Sequence, residues 1–175
     1  MSCGGNIIIR QEKSQDFHEV YSMVKTAFAA AEHSDGNEQD LVAALRAGSA
    51  FVPELSLVAE MDGKIVGHIM FTKAAIGSRT ELALAPLSVL PEYWKQGIGT
   101  ALIREGHRIA ANLGYQYSIV LGSEHYYPRS GYIPAERLGI RAPFEVPSEN
   151  FMAIRLQKNA APICGVVTYA PEFGV

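Results

Sequence analysis

The apolar run "ELALAPLSVL" is followed within a few residues by Gly97-Ile98-Gly99, after which Ile98, Leu102, Ile109 and Leu113 recur at helical spacing. A strand followed across a glycine-rich turn by an amphipathic helix is what this change of period dictates. Glycine serves where the backbone needs an unusual φ or where another group must come close to its N–H groups. The first turn of a helix also leaves N–H donors without intrahelical partners. The junction is therefore a candidate anion cradle. Arg104 and Arg108 fall off the apolar face, and Gly114 closes the helix.

The rest of the chain alternates strand and helix without repeats or an obvious linker. "NIIIR" reads as a short strand. From Ser14, taken as an N-cap, Phe17, Val20, Tyr21, Val24 and Phe28 mark an amphipathic helix. A shorter helix follows through "NEQDLVAALRAG", with Leu41 and Leu45 inward and Gly48 as its stop. "ELSLVAEMDGKIVGHIMFTKA" is a pair of strands joined at Asp62-Gly63, a dipeptide suited to the positive φ values of a tight hairpin. Pro86 cannot donate to a ladder, so a bulge or splay is expected in the strand that carries it. "YSIVLG", "FMAIRL" and "GVVTYAPEF" supply later strands, and "SEHYYPRSGY" an aromatic turn of helix.

With 175 residues, 48% of them hydrophobic, the chain suits one α/β domain with a real core. The formal net charge is −3 and no run of Lys or Arg occurs, which argues against nucleic-acid and anionic-membrane partners and makes any anion site local. The start lacks a basic, then apolar, leader pattern and no apolar run approaches a membrane span, so the reading is cytoplasmic. Cys3 and Cys164 have no partner spacing for zinc or a disulfide framework and are read as reduced thiols, with no metal site.

The glycine turn does not fit two common phosphate loops. No Gly-Lys-Ser/Thr ending is present, and a dinucleotide fingerprint would want a small residue where Leu102 stands and an acid where Ile119 and Val120 stand. It does resemble the signature of the GNAT superfamily of N-acetyltransferases, Gln/Arg-x-x-Gly-x-Gly/Ala, in "WKQGIG". "LSV" at 87–89, the following "PEY" and "YYPRSGY" extend the likeness, and "GVVTYAPEF" is similar to the tail of an uncharacterised branch of predicted acetyltransferases. The resemblance covers nearly the whole chain, as a single domain over residues 3–175. It implies a mixed central sheet splayed between its fourth and fifth strands, with helices on both faces. One departure stands at the head of the signature, where Trp94 replaces the usual Gln or Arg, leaving the backbone part of pyrophosphate binding.

In such a fold acetyl-CoA is the cosubstrate. Amides from Gln96, Gly97, Ile98, Gly99, Thr100 and Ala101 would hold the pyrophosphate, each charge-assisted bond contributing roughly 1.5–3 kcal/mol, with Lys95 adding a screened charge. The resemblance lays the pantetheine arm along Leu87, Ser88 and Val89, with the Val89 N–H as oxyanion donor and Tyr127 as the acid beside the thiolate. Glu81, Glu124 and His125 are candidates for the base, Glu81 heading the group. Glu32, Asp35, Glu38 and Asp40 would give the acceptor cleft an acidic wall suited to a cationic amine, although a solvated helix face accounts for them equally well.

Blander readings stand beside these. Tyr126, Tyr127 and Tyr132 would serve as packing aromatics, and His68 and His107 as satisfied or exposed imidazoles. Two rival functions are a hydrolase using Ser123, Ser130 or Cys164 with a histidine, and a noncatalytic acyl-CoA binder or sensor. The identity of the amine acceptor, and whether the chain acts as monomer or homodimer, are not fixed by these patterns.

Overall fold

The computed structural model describes residues 5–175, so Cys3 lies outside the described residues. The chain opens with strand β1 (Ile7–Gln11), followed by helices α1 (Phe17–Ala29) and α2 (Glu38–Ala47). Three long strands come next, β2 (Phe51–Met61), β3 (Lys64–Ile76) and β4 (Arg79–Val89), and then α3 (Ile98–Asn112) and β5 (Tyr117–Leu121). The last part contains the short strands β6 (Ile133–Pro134) and β7 (Ile140–Arg141), then β8 (Phe151–Arg155) and β9 (Gly165–Thr168). The sheet order is β1-β2-β3-β4-β5-β8-β6, antiparallel except for the β4–β5 pair. Among the described residues no helix is long and apolar enough to cross a membrane.

Local chemistry explains most of these elements. Asp62 and Gly63 have φ values of 51° and 79°, the positive values that a two-residue hairpin demands. Against the expectation for Ser14, residues Ser14–Asp16 form a 3-10 turn and α1 starts at Phe17. Asp16 does the local capping: its carboxylate accepts the Lys13 N–H at 2.8 Å and pairs with Arg10 at 2.7 Å. The face α1 buries is Val20, Met23, Val24 and Ala27. Phe17 and Tyr21 sit at its margin, Phe17 under the Arg46 guanidinium at 3.8 Å and Tyr21 donating to Asp40 at 2.7 Å.

Side-chain alternation along β3 separates the two faces of the sheet. A Cβ on Gly67 would press on Ile98 and Leu102, and a Cβ on Gly106 would run into Phe71, so this face receives α3 at close range. On the other face lies His68, fully buried and joined to Ser56, Glu12 and, through Glu12, to Arg46 of α2. Ser56, His68 and Glu12 have the composition of a hydrolytic triad but not its arrangement. The serine and the carboxylate both approach the same ring nitrogen, at 3.1 and 3.3 Å, and all three residues are buried. Their role is to fasten α2 to the sheet.

Burial alone would raise the Glu12 carboxyl, but hydrogen bonds from His68 and Arg46 outweigh it and lower its pKa from 4.5 to about 2. A carboxyl depressed on folding contributes stability that is present above its unfolded value and lost as pH falls through the folded one. Glu12→Gln is therefore expected to cost about 3 kcal/mol at neutral pH, the scale of a broken buried ion pair. In denaturant titrations the gap between wild type and variant should close between about pH 4.5 and about pH 2. An equal gap at both ends would remove the ion pair as its cause.

Candidate active site

β4 and β5 run side by side only at their beginnings. The register pairs Leu82 with Ser118 and Ala83 with Ile119, and beyond that point the strands separate. On its other side β4 stays paired to β3, with a register shift: Ile69 faces Leu87 and Phe71 faces Leu84, leaving an extra residue on β4 at Ala85–Pro86. This is the bulge that Pro86 led us to expect. The Leu90 N–H donates to Val66 O at 2.9 Å, which fixes the antiparallel alternation at the end of β4. Ser88 shares Leu90's phase and directs its backbone groups to β3, whereas Leu87 and Val89 turn theirs toward the gap. The Val89 carbonyl is met there by the Trp94 indole N–H at 2.7 Å. Trp94 thus braces the turn to the strand end, which accounts for an indole at that position. The backbone of Ser88, expected among the cofactor contacts, is turned to β3, while the residue lines the small pocket beside Trp94 together with Leu87 and Val89.

The gap leads to the start of α3. Lys95 and Gly97 adopt left-handed conformations, φ 62° and 82°, and Gly97 caps the helix. Gly97 needs to be glycine for that φ alone, since a Cβ there would meet open space. Among the described residues the N–H groups of Gln96, Gly97, Ile98, Gly99 and Thr100 donate to no protein acceptor, while that of Ala101 is already bonded to Gly97 O at 3.0 Å. Ala101 therefore drops out of the expected cradle. Lys95 is exposed and forms no ion pair among the described residues, and the Gln96 side chain reaches back to Glu92 O at 3.3 Å. Gly99 has a different reason from the one its motif suggests. It is buried, and a Cβ there would collide with the Tyr126 hydroxyl.

Tyr126 is one of three interlocked tyrosines. Its ring meets Tyr127 edge-on at 5.1 Å, and Tyr127 meets Tyr132 edge-on at 5.8 Å. Tyr132 is a packing residue, fully buried with its hydroxyl 2.9 Å from both His107 Nε2 and Ser118 Oγ. Burial pulls His107 down to about 4, so this imidazole is neutral at physiological pH. Tyr127 differs from Tyr132 in facing a cavity. The Tyr127 ring packs where Gly122 has no side chain, and burial, then the neighbouring Tyr126, pushes its phenol well above the ordinary value.

That cavity holds about 630 Å³ and joins Tyr127 to the β4 edge from Leu84 to Leu87. Its opposite side comes from α2 and the loop before it, through Asp35, Glu38, Asp40 and Leu41. Leu41, expected to point inward, packs against the core and also lines the cavity, and Glu32 lies outside the lining. Sequence patterns did not reveal the third wall: Phe144 together with Tyr169, Glu172 and Phe173. β9 pairs with β3 at Ala75 and Ile76, past the point where β2 ends its pairing, and so delivers the residues after it to α2. The tail motif "GVVTYAPEF" carried this information, but only its distant pairing gives it meaning.

Four expected residues, Glu81, Val89, Glu124 and His125, are not among those that line the cavity. Glu81 lies at the start of β4, about 25 Å from Val89 by strand rise. Its carboxylate is fully engaged, accepting from Arg79 at 2.8 Å and from the amides of Gln116 and Tyr117 at 2.8 and 3.0 Å. It holds the start of β5 and has no free oxygen with which to act as a base. Val89 lines a smaller pocket of about 100 Å³ with Trp94, which adjoins the cavity of Tyr127 at Phe28 and Leu87, residues that line both. Glu124 is tied to Asn150 at 2.7 Å, and the His125 side chain is 88% exposed, so neither reaches the cavity. Ser123, Ser130 and Cys164 make no side-chain contact with an imidazole among the described residues, so the hydrolase reading has no nucleophile–base pair.

Glycine to alanine inside a helix normally stabilises by up to about 1 kcal/mol. Gly99→Ala is expected to do the opposite and cost about 1–3 kcal/mol, because the new methyl meets the Tyr126 hydroxyl. Combining it with Tyr126→Phe should recover about 1 kcal/mol in a double-mutant cycle of thermal stability. Strict additivity would show that the contact does not govern the position.

Known proteins match this arrangement at several levels. The profile of the Acetyltransferase (GNAT) family matches residues 17–132, which takes in the cradle and the tyrosine cluster. The uncharacterized N-acetyltransferase YjhQ of Escherichia coli K12 is 43% identical over 118 residues, a match that spans 65% of each chain. The uncharacterized N-acetyltransferase YhbS of the same strain is 29% identical over 123 residues, 68% of this chain and 74% of that one. Among solved structures, Escherichia coli YhbS in complex with CoA superposes with a TM-score of 0.89 at 26% identity, covering 100% of this chain and 96% of the other. A GNAT family acetyltransferase from Brucella melitensis in complex with acetyl-CoA gives a TM-score of 0.80 at 33% identity, with 97% and 99% covered. The parallel β4–β5 pair that opens beyond Ala83, the glycine-capped α3 and the profile match agree: the chain belongs to the GNAT family of acetyltransferases.

Proposed function

We propose that the protein transfers the acetyl group of acetyl-CoA to a primary amine by direct attack within a ternary complex. The observation that carries this reading is the open edge of β4. Its backbone groups at Leu87 and Val89 face a gap that runs from the unpartnered amides of α3 to the cavity of Tyr127. An extended chain with amide groups, which the pantetheine arm is, adds to such an edge as a further strand would. The relatives solved with CoA and with acetyl-CoA support the choice of donor.

The pyrophosphate rests on the N–H groups of Gln96 to Thr100, helped by the positive end of α3. The arm follows β4 toward Leu87, and the thioester reaches the cavity. Leu87, not Val89, supplies the oxyanion donor, because Leu87 is the outward-facing residue that shares a cavity with Tyr127. The acceptor loses its ammonium proton to water in the open cleft, and its lone pair attacks the carbonyl carbon. The attacking nitrogen passes its surplus proton to water as the C–S bond breaks, leaving a neutral amide, and CoA departs as a thiolate. Tyr127, protonated because burial raises its pKa, donates a hydrogen bond to that sulfur. Full proton transfer to a thiolate near pKa 8.5 would be uphill even from an ordinary phenol, so the hydrogen bond is the contribution asked of it.

An amine panel with acetyl-CoA, read as release of free CoA thiol, tests the activity. Binding of acetyl-CoA without turnover of any amine would favour the noncatalytic acyl-CoA binder instead. Tyr127→Phe keeps the ring packed against Gly122 and removes only the hydroxyl. It is expected to lower kcat by roughly 10²-fold while acetyl-CoA affinity stays within about threefold. Unchanged kcat would leave Tyr127 as packing alone, and loss of affinity together with kcat would mean that the ring shapes the donor site.

A further inference from the structure

The cavity beside Tyr127 must hold the acceptor as well as the thioester, so the chemistry of its far wall selects the amine. Charge does not supply that selection. Glu38 caps its own loop, accepting from the Asp35 N–H at 2.9 Å and the Ser34 hydroxyl at 3.0 Å, and Asp40 accepts from Tyr21. Glu172 turns its carboxylate toward Gly48, past the other end of α2. Asp35 is left by itself, exposed to solvent, and among the described residues no Lys, Arg or His lines the cavity.

What the wall offers instead is a row of rings. Phe144 meets Phe151 edge-on at 6.3 Å, Tyr169 lies nearly parallel to Phe144 at 6.2 Å, and Phe173 meets Tyr169 edge-on at 5.3 Å. Phe151 belongs to one hydrophobic core and Phe173 packs against the other, so the row is anchored at both ends. Rings recruited only to join two cores would be covered by them. Phe144, Tyr169 and Phe173 are half-buried, and all three face the space where the acceptor must lie. Burial pushes the Tyr169 phenol up to about 12, which marks the wall as poorly solvated. Rings at such separations gain more than the area they bury, because the edge of one meets the face of another. An aliphatic guest would cover the same surface and leave that gain unused.

We infer that the acceptor is a primary amine carrying an aromatic ring on a short alkyl stem. The ring lies on the row of Phe144, Tyr169 and Phe173, while the nitrogen attacks at the β4 edge beside Tyr127. This inference rests on the acetyl-transfer reading for the place of attack, but the binding of the ring is independent of turnover.

The test compares 2-phenylethylamine with 2-cyclohexylethylamine, which has the same carbon skeleton without π faces, and with ethylamine, which lacks the ring altogether. With acetyl-CoA saturating, at a pH where the amines are partly neutral, kcat/KM for 2-phenylethylamine should exceed that for ethylamine by about tenfold or more and that for 2-cyclohexylethylamine by about threefold or more. Phe144→Leu and Tyr169→Leu keep apolar bulk and each remove one ring. Each should lower the phenyl-to-cyclohexyl ratio by about twofold or more, and because the ratio is taken within one variant, a general loss of activity cancels. Equal rates with the phenyl and cyclohexyl amines, or a phenyl preference that survives both substitutions, would overturn the inference. Calorimetry of the same amines on the CoA-saturated protein separates the two readings. Binding that favours the phenyl amine, without acetylation of any amine, would sustain the ring site and overturn the transferase reading. Absence of 2-phenylethylamine binding and turnover, with other amines acetylated, would overturn the inference and leave the transferase reading standing.

Discussion

Backbone N–H and C=O groups inside a sheet are ordinarily paired, because leaving them buried without partners costs about as much as a lost hydrogen bond. β4 departs from that rule at one place. It is held by β3 along its length and released by β5 beyond Ala83, so the backbone of Leu87 and the Val89 N–H face a gap in the middle of the molecule, the Val89 carbonyl being taken by the Trp94 indole. The extra residue at Ala85–Pro86 shifts the register without freeing the strand from β3. Everything else in the site takes its position from this opening. α3 starts at its far end with five uncommitted amides, and Tyr127 stands at its near end on a turn that follows β5.

Such an opening is stable only if the strands and helices around it are fixed independently. β3 supplies one anchor, packing Gly67 and Phe71 against α3 on one face and tying His68 to Glu12 and Arg46 on the other. Glu81 supplies a second by holding the amides that begin β5, which keeps the parallel pair closed at its start. An acid at that position reads as a catalytic candidate in sequence and is a structural clamp in space. The acceptor side is equally indirect: α2 is fastened through Arg46, and the tail after β9 is carried to it by a two-residue pairing with β3.

The parts legible in the sequence were those encoded within a few residues. Asp62-Gly63 announced the hairpin, Pro86 the bulge, and Gly97 the left-handed cap that starts α3. Hidden were the parts that depend on contacts across the fold. Nothing near Gly99 reveals that Tyr126 fills its missing side chain, and nothing near Glu172 reveals that it lines a cavity with Asp35. The alternation that separates Leu87 and Val89 from Ser88 depends on which neighbour β4 pairs with, which residue type does not report. Phe17 and Tyr21 follow helical periodicity yet sit at the margin, because Arg46 and Asp40 give them polar partners there.

The account turns on where the acyl donor lies. Amide hydrogen exchange of the protein with and without saturating CoA measures this directly, since an N–H that acquires an acceptor exchanges more slowly. Protection is expected at Leu87 and Val89 on the β4 edge and across Gly97 to Thr100 at the start of α3, with Ser88 and Ala101 already protected in the free protein. CoA-dependent protection confined to other segments, with Leu87 and the first turn of α3 unchanged, would contradict the placement of the donor in this gap.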